Sequence, residues 1–494
     1  MNTLKELQSG TDIRGIAMEN KEFELTLTEE VVSRIAIGFA LFLKEKKLGE
    51  KITIAIGKDS RLSGDLLKSA AINTLIDTGV DVIDCNMATT PAMFMSTIMD
   101  GYKVDGAIMI TASHLPFYYN GMKFFTKDGG VEKEELNKII DFTTNEELSN
   151  TQKGKIIVKD LVSDYSKIIV NNIRVKTGSE TPLKNLKILV DAGNGAGGFF
   201  VNKVLEVLGA DTSGSQFLNP DGNFPNHIPN PEDKQAILSI SNAVVKNNAD
   251  LGVIFDTDVD RAAIVDKDGR AINKNTLIAL ISAILLEENP GTTVVTDSIT
   301  SEGLKKFIEG LGGKHHRFKR GYKNVINEAK RLNSLGEEVD IAIETSGHAA
   351  LKENYFLDDG AYLVAKILIK LAILKRKGKE LNSIISNFRE SSEQLEFRLN
   401  IDAKNFKGYG ENILSEIKLK IKNDKELNIA EPNYEGVKAY INNSKSWFLI
   451  RISLHEPILA INIESEYLNG SKEIIDKIRY LLKDFKNINL GNLN

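Results

Sequence analysis

The chain has 494 residues, 42% from the apolar set AVILMFWYC and 27% charged, a composition that suits several well-filled globular domains. Against 68 Asp and Glu stand 63 Lys and Arg, so the net charge of −5 leaves no basic excess of the kind that binding to nucleic-acid phosphates requires. The single cysteine, Cys85, excludes an internal disulfide framework and a cysteine-rich metal centre, while the polar start Met1–Asp12 and the lack of any apolar run near ~20 residues predict a cytoplasmic chain with no membrane span.

In chain order, Thr53-Ile-Ala-Ile-Gly-Lys-Asp-Ser-Arg-Leu-Ser-Gly64 predicts a buried strand, a polar loop and a helix ending at Thr78-Gly79. Gly106–Ile110 is a second apolar strand and delivers the loop Thr111-Ala-Ser-His-Leu-Pro116. The strand–loop–helix pattern returns at Lys187-Ile-Leu-Val-Asp-Ala-Gly-Asn-Gly195, with a helix expected to run to Leu208-Gly209. Leu251–Phe255 is a strand followed at once by Asp256-Thr-Asp-Val-Asp-Arg261. A third copy of the pattern begins at Thr293-Val-Val-Thr-Asp-Ser298, and Val339–Ile343 leads into Glu344-Thr-Ser-Gly-His348.

The loop aspartates Asp59, Asp191 and Asp297 stand more than a hundred residues apart, far beyond the roughly 20–50 of a solenoid repeat. Continuous apolar runs between helices predict three related α/β layers. After a basic helix over Ala361–Lys379, the strands Gly436–Ile441, Ser446–Ile452 and Ile458–Glu464 and a helix over Ser471–Phe485 predict a smaller α+β domain with an antiparallel sheet.

Four loops carry residues able to do chemistry. Ser113 can act as a nucleophile or carry a phosphoryl group, with His114 or a nearby base taking its proton; a plain Ser/Thr cap after a strand is the other reading. Asp256, Asp258 and Asp260 at alternate positions repel one another unless a cation lies between them. An EF-hand loop needs Gly and Glu where Arg261 and Lys267 stand, which leaves a Mg2+ site that also meets a phosphate oxygen, or a solvated acidic turn. Glu344, Ser346 and His348 can read vicinal hydroxyls, unless Ser346 merely caps a helix. Arg451, Ser453 and His455 can clamp a phosphate or form an ordinary surface loop. Gly193-Asn-Gly-Ala-Gly-Gly198 also satisfies the dinucleotide fingerprint, with Asp211 near the ribose position, but that reading gives the Asp256 and Ser113 loops no role. No Walker A sequence occurs.

Taken in order, these loops resemble the α-D-phosphohexomutase family, and most of all its phosphomannomutase/phosphoglucomutase branch. The resemblance runs from Gly10-Thr-Asp-Ile-Arg-Gly15 through the Lys58–Gly64 and Thr111–Pro116 loops to Asn120-Gly-Met-Lys123. It continues through Asp191–Gly195, Asn223-Phe-Pro-Asn-His-Ile-Pro229, Asp256–Arg261, Gly321-Tyr-Lys323, Glu344–His348 and Arg451-Ile-Ser-Leu-His-Glu-Pro457. It implies three related α/β domains with mixed sheets and a smaller C-terminal α+β domain around a central cleft: residues 1–158 with the phosphoserine loop, 159–268 with the metal loop, 269–382 with the sugar loop and 383–494 with the phosphate loop.

The implied activity interconverts hexose 1-phosphate and hexose 6-phosphate, of mannose or glucose, through phosphorylated Ser113 and a hexose 1,6-bisphosphate that also serves as primer. The implied catalytic set is Ser113, His114, Lys123 and Arg14, with Lys123 a proton carrier whose pKa neighbouring cations would lower. Mg2+ would be held by Ser113, Asp256, Asp258 and Asp260. Arg261, Gly321, Lys323, Glu344, Ser346 and His348 would bind the sugar phosphate, and Arg451, Ser453, His455 and Lys438 its distal phosphate. Leu115 stands where many relatives have Asn, and Leu454-His455 and Ala460 replace usual phosphate ligands, so His455 is expected to supply a missing donor. A phosphoglucosamine mutase and a silent sugar-phosphate-binding relative are the alternatives. The expected partners are small sugar phosphates, with neither nucleic acid nor membrane, in a monomer or dimer.

Overall fold

A strand with no polar face must be covered on both sides, and the apolar runs meet that requirement. Gly106–Ile110, Ile188–Asp191, Leu251–Phe255 and Thr293–Asp297 are buried at every position. The computed structural model describes residues 2–19, 22–47, 51–145, 152–441, 446–453 and 456–493. The chain divides into two compact units, residues 1–273 with 346–382 and residues 274–345 with 383–494.

The first unit holds two sheets. The larger runs in the order Gln8–Ser9, Asp12–Ile16, Tyr119–Thr126, Gly106–Ile110, Thr53–Lys58, Asp81–Met87, Ile156–Val158. Thr53–Lys58 lies parallel to both neighbours, whereas Tyr119–Thr126 returns antiparallel to Gly106–Ile110, so the sheet is mixed. That return pairs Met109 with Lys123 and so brings the lysine beside the end of the strand that carries the serine loop. Helix Glu29–Lys46, capped by Thr28 accepting the Val31 N–H, buries Ile35, Phe39 and Phe42, and the Phe39 ring lies 5.0 Å from that of Phe124 in the sheet.

The second sheet runs Ala271–Ile272, Ala262–Asp266, Leu251–Phe255, Ile188–Asp191, and its antiparallel hairpin leaves residues 256–261 at the tip. Helix Lys234–Asn247 starts at Asp233, which accepts from the Gln235 and Ala236 N–H groups, and stops at Asn248 in the left-handed region. The expected helix up to Leu208-Gly209 is instead a 3-10 turn, Ala196–Gly198, and a π turn, Val201–Leu205. Its glycines explain the difference. A Cβ at Gly195 would fall 2.7 Å from the Thr257 carbonyl oxygen, and one at Gly198 would fall 2.2 Å from that of Leu218, so this segment is shaped by close backbone approach. The unit also contains the hairpin Ala349–Leu351/Leu357–Asp358 and the helix Gly360–Arg376, which matches the basic helix read from the sequence.

In the second unit, Thr293–Asp297 lies parallel to Lys314–Phe318 and Val339–Ile343. A separate antiparallel sheet runs Glu393–Asn400, Ile458–Ser465, Trp447–Ile452, Val437–Ile441, Leu427–Ile429, backed by helices Phe406–Lys422 and Gly470–Leu482. The three foreseen strands and the last helix are present within a few residues of their expected ends. Glu393–Asn400 escaped the sequence reading because it is a largely polar edge strand, Glu-Gln-Leu-Glu-Phe-Arg-Leu-Asn, with little buried surface. Among the described residues no helix is long and apolar enough to cross a membrane.

Candidate functional site

The serine loop is held from behind. Ser113 has φ 51°, a conformation few non-glycine residues adopt, and its N–H donates to Thr111 Oγ1 at 2.9 Å. Thr111 in turn donates to Asp59 Oδ2 at 2.6 Å. Arg61, only 1% exposed, lies 3.3 Å from the same carboxylate. Its terminal nitrogens donate to the carbonyls of Ser113, Leu115 (2.6 Å), Pro116 (2.8 Å) and Tyr119 (2.9 Å). One buried guanidinium therefore gathers the carbonyls of the whole loop and leaves Ser113 Oγ on the opposite side.

That oxygen meets the tip of the Asp256 hairpin. Ser113 Oγ donates to Asp256 Oδ2 at 3.1 Å, and Arg261 Nη2 donates to Ser113 Oγ at 3.3 Å. Arg261 also pairs through Nε with Asp256 Oδ2 (3.0 Å), reaches His114 Nδ1 (2.7 Å) and donates to Asn230 Oδ1 (3.2 Å). Burial, with the charges of Arg261 and Arg14, pushes the His114 pKa down to about 2, so the ring is neutral and accepts from Arg261. Arg14 lies on the adjacent strand Asp12–Ile16, paired with Asp12 at 3.1 Å.

The three loop aspartates are buried, which removes the solvated-turn reading. One oxygen of each lies within 4.8 Å of those of the other two. Lys123 Nζ bridges two of them, 2.5 Å from Asp260 Oδ2 and 3.2 Å from Asp258 Oδ2, so carboxylates occupy the surroundings where the sequence reading expected cations. Thr90 donates to Asp258 Oδ2 at 2.5 Å. Asp258 Oδ1 and Asp260 Oδ1 are buried with no hydrogen-bond partner, and such oxygens suit a hard divalent cation. Burial and the neighbouring Asp260 push the Asp256 carboxyl well up; at Asp260, Lys123, His348 and Arg261 overcome burial and hold the carboxyl down. Val259, between Asp258 and Asp260, has φ 68°, a left-handed conformation that is strained for a β-branched residue. His348 Nδ1 pairs with Asp358 Oδ2 and lies 3.9 Å from Asp260 Oδ1; burial opposes its charge, but Asp358 and Asp260 raise its pKa to about 9.

The second unit carries the other candidate loops. Gly321, at φ 118°, precedes helix Tyr322–Ser334, and its N–H donates to Glu344 Oε1 at 2.6 Å. Lys323 stands in the first turn of that helix. Asp297 Oδ2 accepts from the Thr345 N–H and hydroxyl, while burial and the nearby Glu344 raise its pKa to about 7. Arg451 lies next to the end of the strand Trp447–Ile452 with Nε buried and lacking a hydrogen-bond partner. Lys438 Nζ lies 3.7 Å from the centre of the Trp447 ring and 3.3 Å from the Ser298 carbonyl, and burial with Arg317 lowers its pKa to about 7.

Profiles described as phosphoglucomutase/phosphomannomutase alpha/beta/alpha domains I, II and III match residues 5–150, 163–269 and 273–391. The phosphoglucomutase/phosphomannomutase of Thermococcus kodakarensis is 30% identical over 94% of this chain and 95% of its own. The chain belongs to the phosphoglucomutase/phosphomannomutase family. The phosphomannomutase of Escherichia coli is 31% identical over 74% of this chain and 77% of its own, and the Pseudomonas putida phosphomannomutase/phosphoglucomutase is 28% identical over 87% of each. A solved phosphoglucomutase/phosphomannomutase family protein from Burkholderia thailandensis superposes with a TM-score of 0.81 at 25% identity, covering 98% of this chain and 99% of that one. The architecture is accordingly three α/β/α domains with mixed sheets and a further C-terminal domain with an antiparallel sheet.

Of the residues that family resemblance singled out, the first unit gathers Ser113, His114, Lys123, Asp256, Asp258, Asp260, Arg261 and His348, with Arg14 on the neighbouring strand. Ser346 lies in the same unit, its hydroxyl buried and without a hydrogen-bond partner. Gly321, Lys323, Glu344, Lys438, Arg451 and Ser453 belong to the second unit, where Ser453 Oγ accepts from the Glu456 N–H at 3.3 Å. His455 lies outside the described residues. Sequence reasoning missed Asp59, Arg61 and Thr111 as supports of the serine loop, although all three sit inside quoted motifs. It also missed Thr90, Asn230 and Asp358, which the fold brings in from distant positions.

Proposed function

We propose that this chain is a phosphohexomutase that interconverts the 1- and 6-phosphates of mannose or glucose, with Ser113 carrying the phosphoryl group between them. The observation that carries the reading is the placement of Ser113 Oγ, 3.1 Å from Asp256 and 3.3 Å from Arg261. Phosphoryl transfer asks for positioning and charge compensation more than for a strong nucleophile, and this oxygen has both.

In the first half-reaction the bond from phosphorus to Ser113 Oγ breaks and one to the free sugar hydroxyl forms. Lys123 Nζ, an ammonium between Asp258 and Asp260, gives a proton to the departing serine oxygen and takes the sugar hydroxyl's proton in its place, while Arg261 Nη2 holds the serine oxygen by its hydrogen bond. The resulting hexose 1,6-bisphosphate turns in the site, and the same steps run backwards with its other phosphate. A phosphoserine brings about −1.5 to −2 charges. A divalent cation, which we take to be Mg2+, would be held by Asp256, Asp258 and Asp260 with an oxygen at Ser113, and it would supply the offsetting positive charge. Arg14 and His114 border the serine, Arg261, Gly321, Lys323, Glu344, Ser346 and His348 receive the sugar phosphate, and Arg451, Ser453, His455 and Lys438 receive its far phosphate. The division into domains at 158, 268 and 382 is part of the same proposal, as are the hexose 1,6-bisphosphate primer and a cytoplasmic setting.

Relatives named for mannose and glucose phosphates favour those substrates over glucosamine phosphate. The test is turnover of all three sugar phosphates with a trace of bisphosphate, beside intact-mass measurement. Ser113→Ala should abolish turnover and the gain of one phosphate, while melting near the wild type. Turnover of none of the three by the wild type, or full activity of Ser113→Ala, would overturn the reading.

A further inference from the structure

Glu435 lies in the turn that leads, through Gly436, into strand Val437–Ile441. Its Oε1 accepts from Ser298 Oγ and from the Arg320 N–H at 3.1 Å. The next residue, Gly436, has φ 57°, and a Cβ there would fall 2.2 Å from the Ile450 carbonyl oxygen and 3.0 Å from Arg451 Cα. The Glu435 turn is therefore laid directly on the backbone of Arg451, and no residue with a side chain fits at 436 without moving it. Arg451 keeps Nε buried and unmatched. Burial and the nearby Arg320 disfavour its charge, and Glu435 is foremost among the carboxylates that offset them.

A hydroxyl, a backbone N–H beside a helix N-terminus and two guanidinium groups form the donor set that a phosphate monoester takes. Here a glutamate of the same chain takes the first two, and its charge favours that of Arg451. We propose that Glu435 is a built-in competitor for the substrate's far phosphate, holding its donors when the phosphate is absent and yielding them when it binds. This rests on the reading above, in which Arg451 and Ser453 receive that phosphate and a bisphosphate turns within the site. The turn requires the far phosphate to be released without stranding buried donors, an expensive state. Glu435 lowers that cost by taking back the Ser298 hydroxyl and the Arg320 N–H, and its charge offsets that of Arg451. The consequence is that ground-state phosphate affinity is held below what the donors alone would give, and release is eased.

The test uses the full-length protein with Glu435→Gln, which keeps an acceptor oxygen for Ser298 and Arg320 while removing the charge. Inorganic phosphate binding is measured by calorimetry, and KM and kcat are measured with the preferred hexose phosphate. We expect the phosphate Kd and the KM to fall roughly fivefold or more, the scale of one removed like-charge contact, and kcat to fall with them as release slows. An unchanged or weaker phosphate affinity, or no binding by either protein, overturns the proposal; a purely structural Glu435 would lower the melting temperature and leave KM unimproved. Arg451→Ala separates the two readings. If it leaves phosphate binding intact, the phosphate-site assignment itself fails; if it abolishes binding while Glu435→Gln does not strengthen it, only the competitor role fails.

Discussion

Replacing Arg61 by Met keeps most of the side-chain volume and removes the cation that gathers the serine loop. The cost has two parts. Asp59 is fully buried, and deleting one partner of a buried ion pair costs about 3–5 kcal/mol. The carbonyls of Ser113, Leu115, Pro116 and Tyr119 also lose their donor, at about 1–3 kcal/mol for each that stays dry. Even with two of the four rehydrated, the loss exceeds about 5 kcal/mol, a large part of the ~5–15 kcal/mol that holds a domain together. Arg61→Lys retains the charge but offers a point donor in place of a planar fork, so it should lie between the wild type and Arg61→Met. Adding Asp59→Asn to Arg61→Met removes the uncompensated charge and should recover about 2 kcal/mol or more, measured as a double-mutant coupling. Urea unfolding followed by circular dichroism gives the stabilities, and a coupled mutase assay reports whether Ser113 Oγ still meets Asp256. A displacement near 1 Å costs about 100-fold in rate, so Arg61→Lys should lose activity out of proportion to its stability. If Arg61→Met unfolds within about 1 kcal/mol of the wild type, or the double variant is no more stable than Arg61→Met, the clamp does not hold the loop.

Three further outcomes follow from the geometry. Asp258→Asn keeps the acceptor for Thr90 but loses the charge of the buried carboxylate, so activity should need a Mg2+ concentration at least tenfold higher; an unchanged metal titration would remove Asp258 from the site. Gly195→Ala would set a methyl 2.7 Å from the Thr257 carbonyl oxygen and should cost about 1–3 kcal/mol in a melt, together with metal affinity; an alanine variant as stable as the wild type would show that close approach to Thr257 is not what requires glycine at 195. His227 Nε2 donates to the Asp191 carboxylate at 3.0 Å, and although burial opposes its charge, Asp191 raises its pKa above 6.5. The pair's contribution is complete below pH 6.5 and is lost as pH rises through the raised native value, so the margin in melting temperature over His227→Gln should be widest at low pH and shrink above 6.5; a margin constant with pH would refute it.

Some of this site was legible in the amino-acid sequence for reasons that can be named. The strands were legible because an apolar run with no alternation has nowhere to go but between two layers. The Asp256 loop was legible because carboxylates at alternate positions right after an apolar strand repel one another unless water or a cation offsets them, and burial leaves only the cation. Arg61 was read as part of a motif and not as a support, because its partners are four carbonyl groups, and a carbonyl looks the same at every residue. Glu435 was hidden for the same reason: one of its two donors is a backbone N–H, and the glycine that fixes it against Arg451 reads as an ordinary turn.

The dinucleotide-like glycines show the converse ambiguity. Gly193-Asn-Gly-Ala-Gly-Gly198 encodes a chain that must come close to something, and pattern alone does not say whether that is a pyrophosphate or a peptide. Here it is a peptide, since the Ala196 N–H donates to the Thr257 carbonyl at 2.8 Å and braces the aspartate loop from below. Side-chain chemistry thus announces which atoms touch the substrate, while the precision of their placement is carried by backbone contacts that leave only glycines and buried arginines as traces. Damage to the reaction should therefore spread further along the chain than the motifs do, to Arg61 and Gly195, neither of which was singled out for the chemistry.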